Sequence, residues 1–242
     1  MDGDSRQLAT SFGRVAEAYE RSRPLYAEAA VRWLAGDQPA DVLDLGAGTG
    51  KLTRQLVALG HHVVAVDPLA EMLAQLRVAV PGVETRAGTG ERIPLQDSAV
   101  DVVTVAQAFH WFDRPAALRE IARVLRPGGS VALVWNVRDE AEAWVAELSD
   151  AMGGWTRVGR HTEPIDASGL YGPVEQATFR HAENVSRHGL RELVLSRSYC
   201  AVMSDGERAP VFERADRLFD EHASGGVVRL SYLTECFRAV RL

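Results

Sequence analysis

The sequence predicts an α/β protein built on a parallel sheet with helices on both faces. Three observations carry that prediction. From about residue 28 to residue 152, short apolar runs alternate with longer amphipathic stretches. The short runs are nearly continuous Val and Leu, as strands buried on both faces require. A glycine-rich segment, Gly46-Ala47-Gly48-Thr49-Gly50, stands between the first such run and the first helical stretch that follows it.

Val42 to Leu45 is the first strand. Lys51 to Leu59 places Leu52, Leu56 and Leu59 on one helical face. His62 to Val66 is the second strand, and Leu69 to Val78 is a helix with Met72, Leu73 and Leu76 inward. Val83 to Arg86 and Val100 to Val105 are the third and fourth strands. Ala116 to Leu125 is a helix with Leu118, Ile121, Val124 and Leu125 on one side. Arg126-Pro127-Gly128-Gly129 should stop that helix, and Ser130 to Trp135 is the fifth strand. Further on, Glu175 to Glu183 alternates as a strand with one wetter face. Leu190 to Val202 and Arg208 to His222 read as helices joined by a turn at Ser204-Asp205-Gly206-Glu207. After Gly225-Gly226, Leu230 to Val240 returns to a strand pattern. A helical insert of about 40 residues thus separates the last two strands.

The composition is that of an ordinary globular chain: 242 residues, 46% hydrophobic and 25% charged, which excludes disordered, collagen-like and coiled-coil classes. Lys+Arg 27 against Asp+Glu 33 gives a net charge of -6, which argues against a nucleic-acid partner held through phosphates. Cys200 and Cys236 have no metal-ligand spacing, and His61-His62 opens the second strand at the end away from the glycine loop, so no metal site is expected. No apolar run is long enough to span a membrane, and the acidic start is no signal peptide. A soluble, cytoplasmic protein is the expectation.

Alternating glycines let the backbone turn sharply and approach a ligand, while the following helix start offers free N–H groups. A Walker loop would need Gly where Leu45 stands and Ser or Thr where Leu52 stands. A dinucleotide fingerprint would need Gly or Ala at Lys51, which weakens the case for NAD. Asp67 ends the second strand, seventeen residues beyond Gly50. A carboxylate there can accept both ribose hydroxyls; Asp67-Pro68 also reads as a helix N-cap followed by Pro at the first helical position. Both readings stand together.

Five ordered motifs, VLDLGAGTG, VVAVDP, AGTGERIPL, VDVVTVAQAFHWF and LREIARVLRPGGSVALVWN, span residues 41 to 136. In this order and spacing they resemble the class I S-adenosylmethionine-dependent methyltransferases. Ala18 to Pro24, Ser196 to Tyr199, AFHWFD and WNVRD extend the likeness toward a bacterial small-molecule subgroup (methyltransferase type 11) related to the trans-aconitate methyltransferases. The resemblance implies a Rossmann-like, seven-stranded, mostly parallel sheet with the last strand antiparallel. It implies a single domain over residues 1–242, with an N-terminal lid at 1–27, a core at 28–183 and 227–242, and a helical cap insert at 184–226. Apolar stripes through Phe12, Val15, Tyr19 and Leu25, and through Leu190, Leu193, Val194 and Tyr199, would bury themselves on the carboxyl edge of the sheet.

Carried over by motif, Gly46, Ala47, Gly48 and Gly50 would bend under the methionine part of S-adenosyl-L-methionine. Asp44 would reach its ammonium through water, Asp67 and Pro68 would flank the ribose, and Met72 with Leu69 would pack on the adenine. Thr89 stands where relatives have an acceptor for the adenine amino group, so recognition would lean on the Gly90 backbone, with Glu91 as an acidic neighbour. Tyr19 and Arg23 in the lid would close over the cofactor, Arg23 pairing with its carboxylate. Gln107 ends the fourth strand beside the glycine loop. His110 is the best-placed titratable group, a general base if the acceptor needs one, or else a support within the aromatic loop. Trp111, Trp135, Asn136, Arg138, Ser198 and Tyr199 complete the expected acceptor pocket.

Methyl transfer from a sulfonium requires alignment in a dry pocket more than bond activation. A small-molecule acceptor methylated on O, N, S or carboxyl, in secondary metabolism, is the expected substrate, and a monomer or homodimer the expected state. A protein of the same fold that binds the cofactor without methyl transfer is the principal alternative. Methylation of a macromolecule and NAD-dependent oxidation are the remaining ones.

Overall fold

A computed structural model describes residues 23–152, 162–195 and 203–242. Strands β1 (Asp41–Leu45), β2 (His62–Asp67), β3 (Glu84–Ala87), β4 (Val100–Ala106), β5 (Leu125–Arg138), β6 (Glu175–Ser186) and β7 (Val227–Val240) form one seven-stranded sheet in the order β3-β2-β1-β4-β5-β7-β6. The pairs β1–β2, β2–β3, β1–β4 and β4–β5 are all parallel. Arg241 N–H donates to Gly129 O at 2.8 Å, and Asp139 N–H to Ser231 O at 3.0 Å. The start of β5 therefore lies beside the end of β7 and the converse, so β7 runs antiparallel. The sheet is the Rossmann-like, mostly parallel arrangement the motifs imply.

Helices α1 (Glu28–Ala35), α2 (Lys51–Ala58), α3 (Ala70–Ala79) and α4 (Arg114–Val124) join the central strands. Successive strand residues face opposite sides, and Val42 and Leu43 are both fully buried, so both faces of β1 are covered. On one face Val42, Val63, Val102 and Val134 pack with Leu34 of α1 and Leu52 and Leu56 of α2. Edge strand β3 is mostly exposed and polar, with Arg86 paired to Glu84, which suits an unpaired edge.

The expected Pro-Gly stop after α4 is built differently. The helix ends at Val124 and β5 begins at once, Leu125 pairing with Val100 and Ser130 with Val102. The four residues between bulge outward against Asp101 alone. Arg126 folds back to Asp101 at 2.6 Å and Asp41 at 2.8 Å, and a Cβ on Gly129 would lie 2.6 Å from Asp101 O.

The chain packs as two compact units, one comprising Leu25–Asn136, 162–179 and Thr234–Leu242. The second contains residues 137–152, 180–195 and 203–233, with helices α5 (Ala143–Ala151), α7 (Arg187–Leu195) and α8 (Asp205–His222); α6 (Glu163–Ser168) belongs to the first. Leu190, Leu193 and Val194 bury against Val145, Leu148, Ala215, Leu218 and Phe219. The described part of that stripe packs within its own unit on α5 and α8 and also on Val228, Leu230 and Tyr232 at the start of β7, beside the carboxyl end of β5. The Ser204–Glu207 turn also proves to be a helix start. Ser204 caps α8 in a reciprocal box with Glu207, whose carboxylate accepts the Ser204 N–H at 2.8 Å. The helix thus begins three residues ahead of the expected Arg208.

Candidate active site

Strand order reverses between β1 and β4, the place where sheets of this kind bind ligands. The glycine loop leaves β1 there and folds across the end of β2. Gly46 and Ala47 N–H both donate to Val66 O, at 2.8 and 3.1 Å. Gly46, Gly48 and Gly50 have φ of +72°, +55° and +89°, a region that side chains disfavour. A Cβ on Gly46 would lie 2.7 Å from Ala108 Cβ, and one on Gly50 would lie 2.8 Å from Leu76 Cγ. A Cβ on Gly48 would have nothing within 4 Å among the described residues. Gly46 and Gly50 are thus needed for packing, and the Cβ position of Gly48 is open among the described residues.

Asp67 holds this loop in place. One carboxylate oxygen accepts the Gly48 N–H at 2.9 Å and the other accepts the Leu69 N–H at 2.9 Å. The side chain is buried, and burial raises its pKa; no ion pair to Asp67 is present among the described residues. A carboxylate offers about four acceptor positions, so two remain for a ligand. The expected cap is corrected in detail: α3 starts at Ala70 with Leu69 as N-cap, and exposed Pro68 precedes it. Asp67 makes a two-residue turn instead of capping the helix, because its carboxylate also reaches back to Gly48.

Asp44 is fully buried at the end of β1. Thr53 Oγ1 donates to it at 2.6 Å, and Thr104 Oγ1 lies 3.3 Å from its other oxygen. Burial pushes its pKa up to about 6, and the charge of Asp67 adds to the rise.

Two further loops close on the glycines. Thr89 and Arg92 bridge in antiparallel fashion, leaving Gly90 and Glu91 at the tip. A Cβ on Gly90 would meet the Phe112 ring at 2.8 Å, and the same ring lies 3.6 Å from the Cβ position of Gly46. Glu91 accepts the Asp113 N–H at 2.8 Å, tying this tip to the loop after β4. In that loop Gln107 has φ +56°, a strained conformation for a side-chain-bearing residue. Its N–H donates to Val134 O at 2.9 Å, and its amide donates to Asn136 O at 3.2 Å. His110 Nδ1 is buried with no hydrogen-bond partner among the described residues. Burial, then the nearby Arg114 charge, lowers its pKa, so the ring is neutral at neutral pH.

The structure therefore brings Asp44, Gly46 to Gly50, Asp67, Gly90, Glu91, Gln107 and Phe112 into one connected set of loops. Met72 is buried on α3, and Trp111 is largely exposed beside His110, their rings 4.8 Å apart. Trp135 is enclosed, edge-on to Phe237. Asn136 spends both ends of its amide on Leu25 O at 2.9 Å and the Thr234 hydroxyl at 2.6 Å. Arg138 is buried in the other unit, bonded to Ser149 at 2.7 Å. These last three serve the framework, where the motif placed them in an acceptor pocket. Arg23 is half-buried. Tyr19, Ser198 and Tyr199 lie outside the described residues. Thr53 and Thr104 were not anticipated; the signal for Thr104 was a lone hydroxyl within the apolar run of β4, and Thr53 sat unremarked in the first turn of α2.

Comparison with known proteins agrees with this geometry. The methyltransferase domain family model matches residues 43–133. An uncharacterized methyltransferase of Mycobacterium tuberculosis is 44% identical over 246 aligned positions, covering 99% of each chain. A malonyl-[acyl-carrier protein] O-methyltransferase of Methylococcus capsulatus is 34% identical over 83% of this chain and 74% of its own. The solved structure described as a type II methyltransferase of Anaeromyxobacter dehalogenans superposes with a TM-score of 0.66 at 29% identity, covering 90% of this chain and 97% of that one. This chain belongs to the class I methyltransferase family.

Proposed function

We propose that the protein is an S-adenosylmethionine-dependent methyltransferase acting on a small-molecule acceptor. The observation that carries this reading is Asp67: a buried carboxylate with no cation beside it among the described residues, fixed at the rim of a glycine loop whose middle residue has none of the described residues within 4 Å of its Cβ position. Such a group is costly unless a ligand supplies donors, and a ribose diol supplies two. S-adenosylmethionine, when bound, supplies a methyl group on an already electrophilic sulfonium.

The chain's own residues then align and enclose. Gly46 to Gly50 would cradle the amino-acid end, Asp44 would receive its ammonium, and Asp67 would hold the ribose beside Pro68. Met72, Thr89 and Gly90 would border the adenine. Glu91, through Asp113, keeps the two flanking loops together. Gln107 and Asn136 brace the end of β4 against β5. His110 and Trp111 would face the acceptor. If the acceptor is a hydroxyl or amine, neutral His110 takes its proton at Nδ1, which has no partner among the described residues. A carboxylate acceptor needs no base, and the malonyl-thioester relative puts that class on the test panel. Residues 1–27 and 184–226 are read as the segments that select the acceptor.

Two measurements test the proposal. Calorimetry should show S-adenosylhomocysteine binding more tightly than NAD, and the reverse order would sink it. Incubation with a labelled methyl donor and a panel of carboxylates, malonyl thioesters, phenols and amines should yield S-adenosylhomocysteine and one product heavier by a methyl group. Binding without any transfer across the panel would favour a non-methylating member of the fold.

A further inference from the structure

The glycine loop leaves α2 without a conventional cap. Its N-cap residue, Gly50, sits at φ +89° and has no side chain to offer. Asp44, from the neighbouring strand β1, fills that role. It accepts both the hydroxyl of Thr53, at 2.6 Å, and the Thr53 main-chain N–H, one of the donors that a helix start otherwise leaves unsatisfied. On the other side, the Thr104 hydroxyl lies 3.3 Å from Asp44 and 3.3 Å from Leu43 O. Asp44, Thr53 and Thr104 are all fully buried, and no ion pair to Asp44 is present among the described residues.

We propose that Thr53 and Thr104 are positioning residues that make Asp44 a proton-linked acceptor for the cationic end of the cofactor; the inference rests on the S-adenosylmethionine reading above. Hydrogen counting supports it. Each threonine has one O–H. That of Thr53 is committed to Asp44. That of Thr104 has two acceptors within reach. With Asp44 ionised, Thr104 turns to the carboxylate. With Asp44 protonated, the new O–H donates to Thr104, which turns to Leu43 O. Neither state breaks a hydrogen bond, so the proton enters and leaves at little structural cost. The carboxyl already holds its proton up to about pH 6 because it is buried. The charged group acting on it is Asp67 at the end of β2; Thr53 from α2 and Thr104 from β4 face it with neutral hydroxyls. Both hydroxyls favour the ionised form, as does a ligand ammonium.

The test is calorimetric titration of the full chain with S-adenosylhomocysteine from pH 5 to 8, using wild type, Thr53→Val, Thr53→Ser and Thr104→Val. Wild-type affinity should fall about ten-fold per pH unit below the midpoint near 6. Thr53→Val should move that midpoint upward and weaken binding at pH 7 about ten-fold. Thr53→Ser should restore both, and Thr104→Val should move the midpoint by less. A purely structural cap predicts instead that Thr53→Val lowers the melting temperature and leaves the midpoint in place, which overturns the inference. Should Thr53→Val fail to fold, Thr104→Val decides by the same midpoint. Tight wild-type binding that is independent of pH sinks this inference alone, whereas no binding at any pH sinks the cofactor reading with it.

Discussion

The glycine-loop region and the helical insert treat charge in opposite ways. In the insert and on the α5 helix that packs against it, several acidic groups stand at or near the surface and have arginine partners. Asp216 and Asp220 on α8 pair with Arg187 and Arg191 on α7, and Glu147 and Asp150 on α5 pair with Arg214 and Arg217. At the ends of β1 and β2, Asp44 and Asp67 are buried and, among the described residues, meet only neutral donors. Exposed pairs add little stability but tolerate change. Buried carboxylates without cations weigh against the fold and persist where a ligand needs them. The difference separates carboxylates held by cations near the surface from carboxylates left to neutral donors in the interior.

The most severe way to probe that separation is through glycine. Gly46→Ala combines a positive φ with a 2.7 Å approach to Ala108, so it should cost roughly 2–5 kcal/mol by chemical denaturation. Gly206→Ala, at the open start of α8, should cost nothing or stabilise slightly. Equal effects would erase the contrast.

Asp44 sharpens it through pH. Its pKa rises from 3.8 in the unfolded chain to about 6 in the fold, so the folded protein holds this proton more tightly. The ionised form therefore opposes folding above pH 6, and that opposition fades as pH falls from about 6 to about 4. Asp44→Asn should be more stable than wild type at pH 7.5 by about 3 kcal/mol, with the gap closed near pH 4, while losing cofactor affinity. A gap that does not change with pH would mean that Asp44 has the same pKa in the folded and the unfolded chain.

With a hydroxyl or amine acceptor, His110→Ala should lower turnover by about 10²-fold and leave S-adenosylhomocysteine affinity unchanged. A parallel fall in both would reduce His110 to a loop support. Asp67→Ala should weaken S-adenosylhomocysteine binding by roughly 1.5–3 kcal/mol in calorimetry; unchanged affinity would confine Asp67 to holding Gly48 and Leu69. Smallest of all, Arg191→Ala in the insert should cost under about 1 kcal/mol, shrink further at high salt, and not touch cofactor affinity.

Periodicity and punctuation were enough to place the strands and helices of residues 41 to 138. Continuous Val and Leu runs can be buried only between two helical layers, and a glycine triplet after a strand has few structural uses. The spacing from Gly50 to Asp67 likewise put a carboxylate beside the glycine loop, because parallel neighbouring strands end side by side. What no local pattern contains is the pairing of side chains distant in the chain. Thr53 and Thr104 reach Asp44 only because α2 folds back over β1 and β4 runs beside it. Phe112 meets Gly46 and Gly90 only because three separate loops converge. Asn136 and Arg138 looked available in a polar segment at the end of β5, yet tertiary packing gave their polar atoms to Leu25, Thr234 and Ser149. Local sequence determined which residues form the sheet and its loops, since φ preferences and burial patterns act over a few residues; tertiary structure alone decided which polar groups remain open to a ligand, since that depends on which distant donors arrive first.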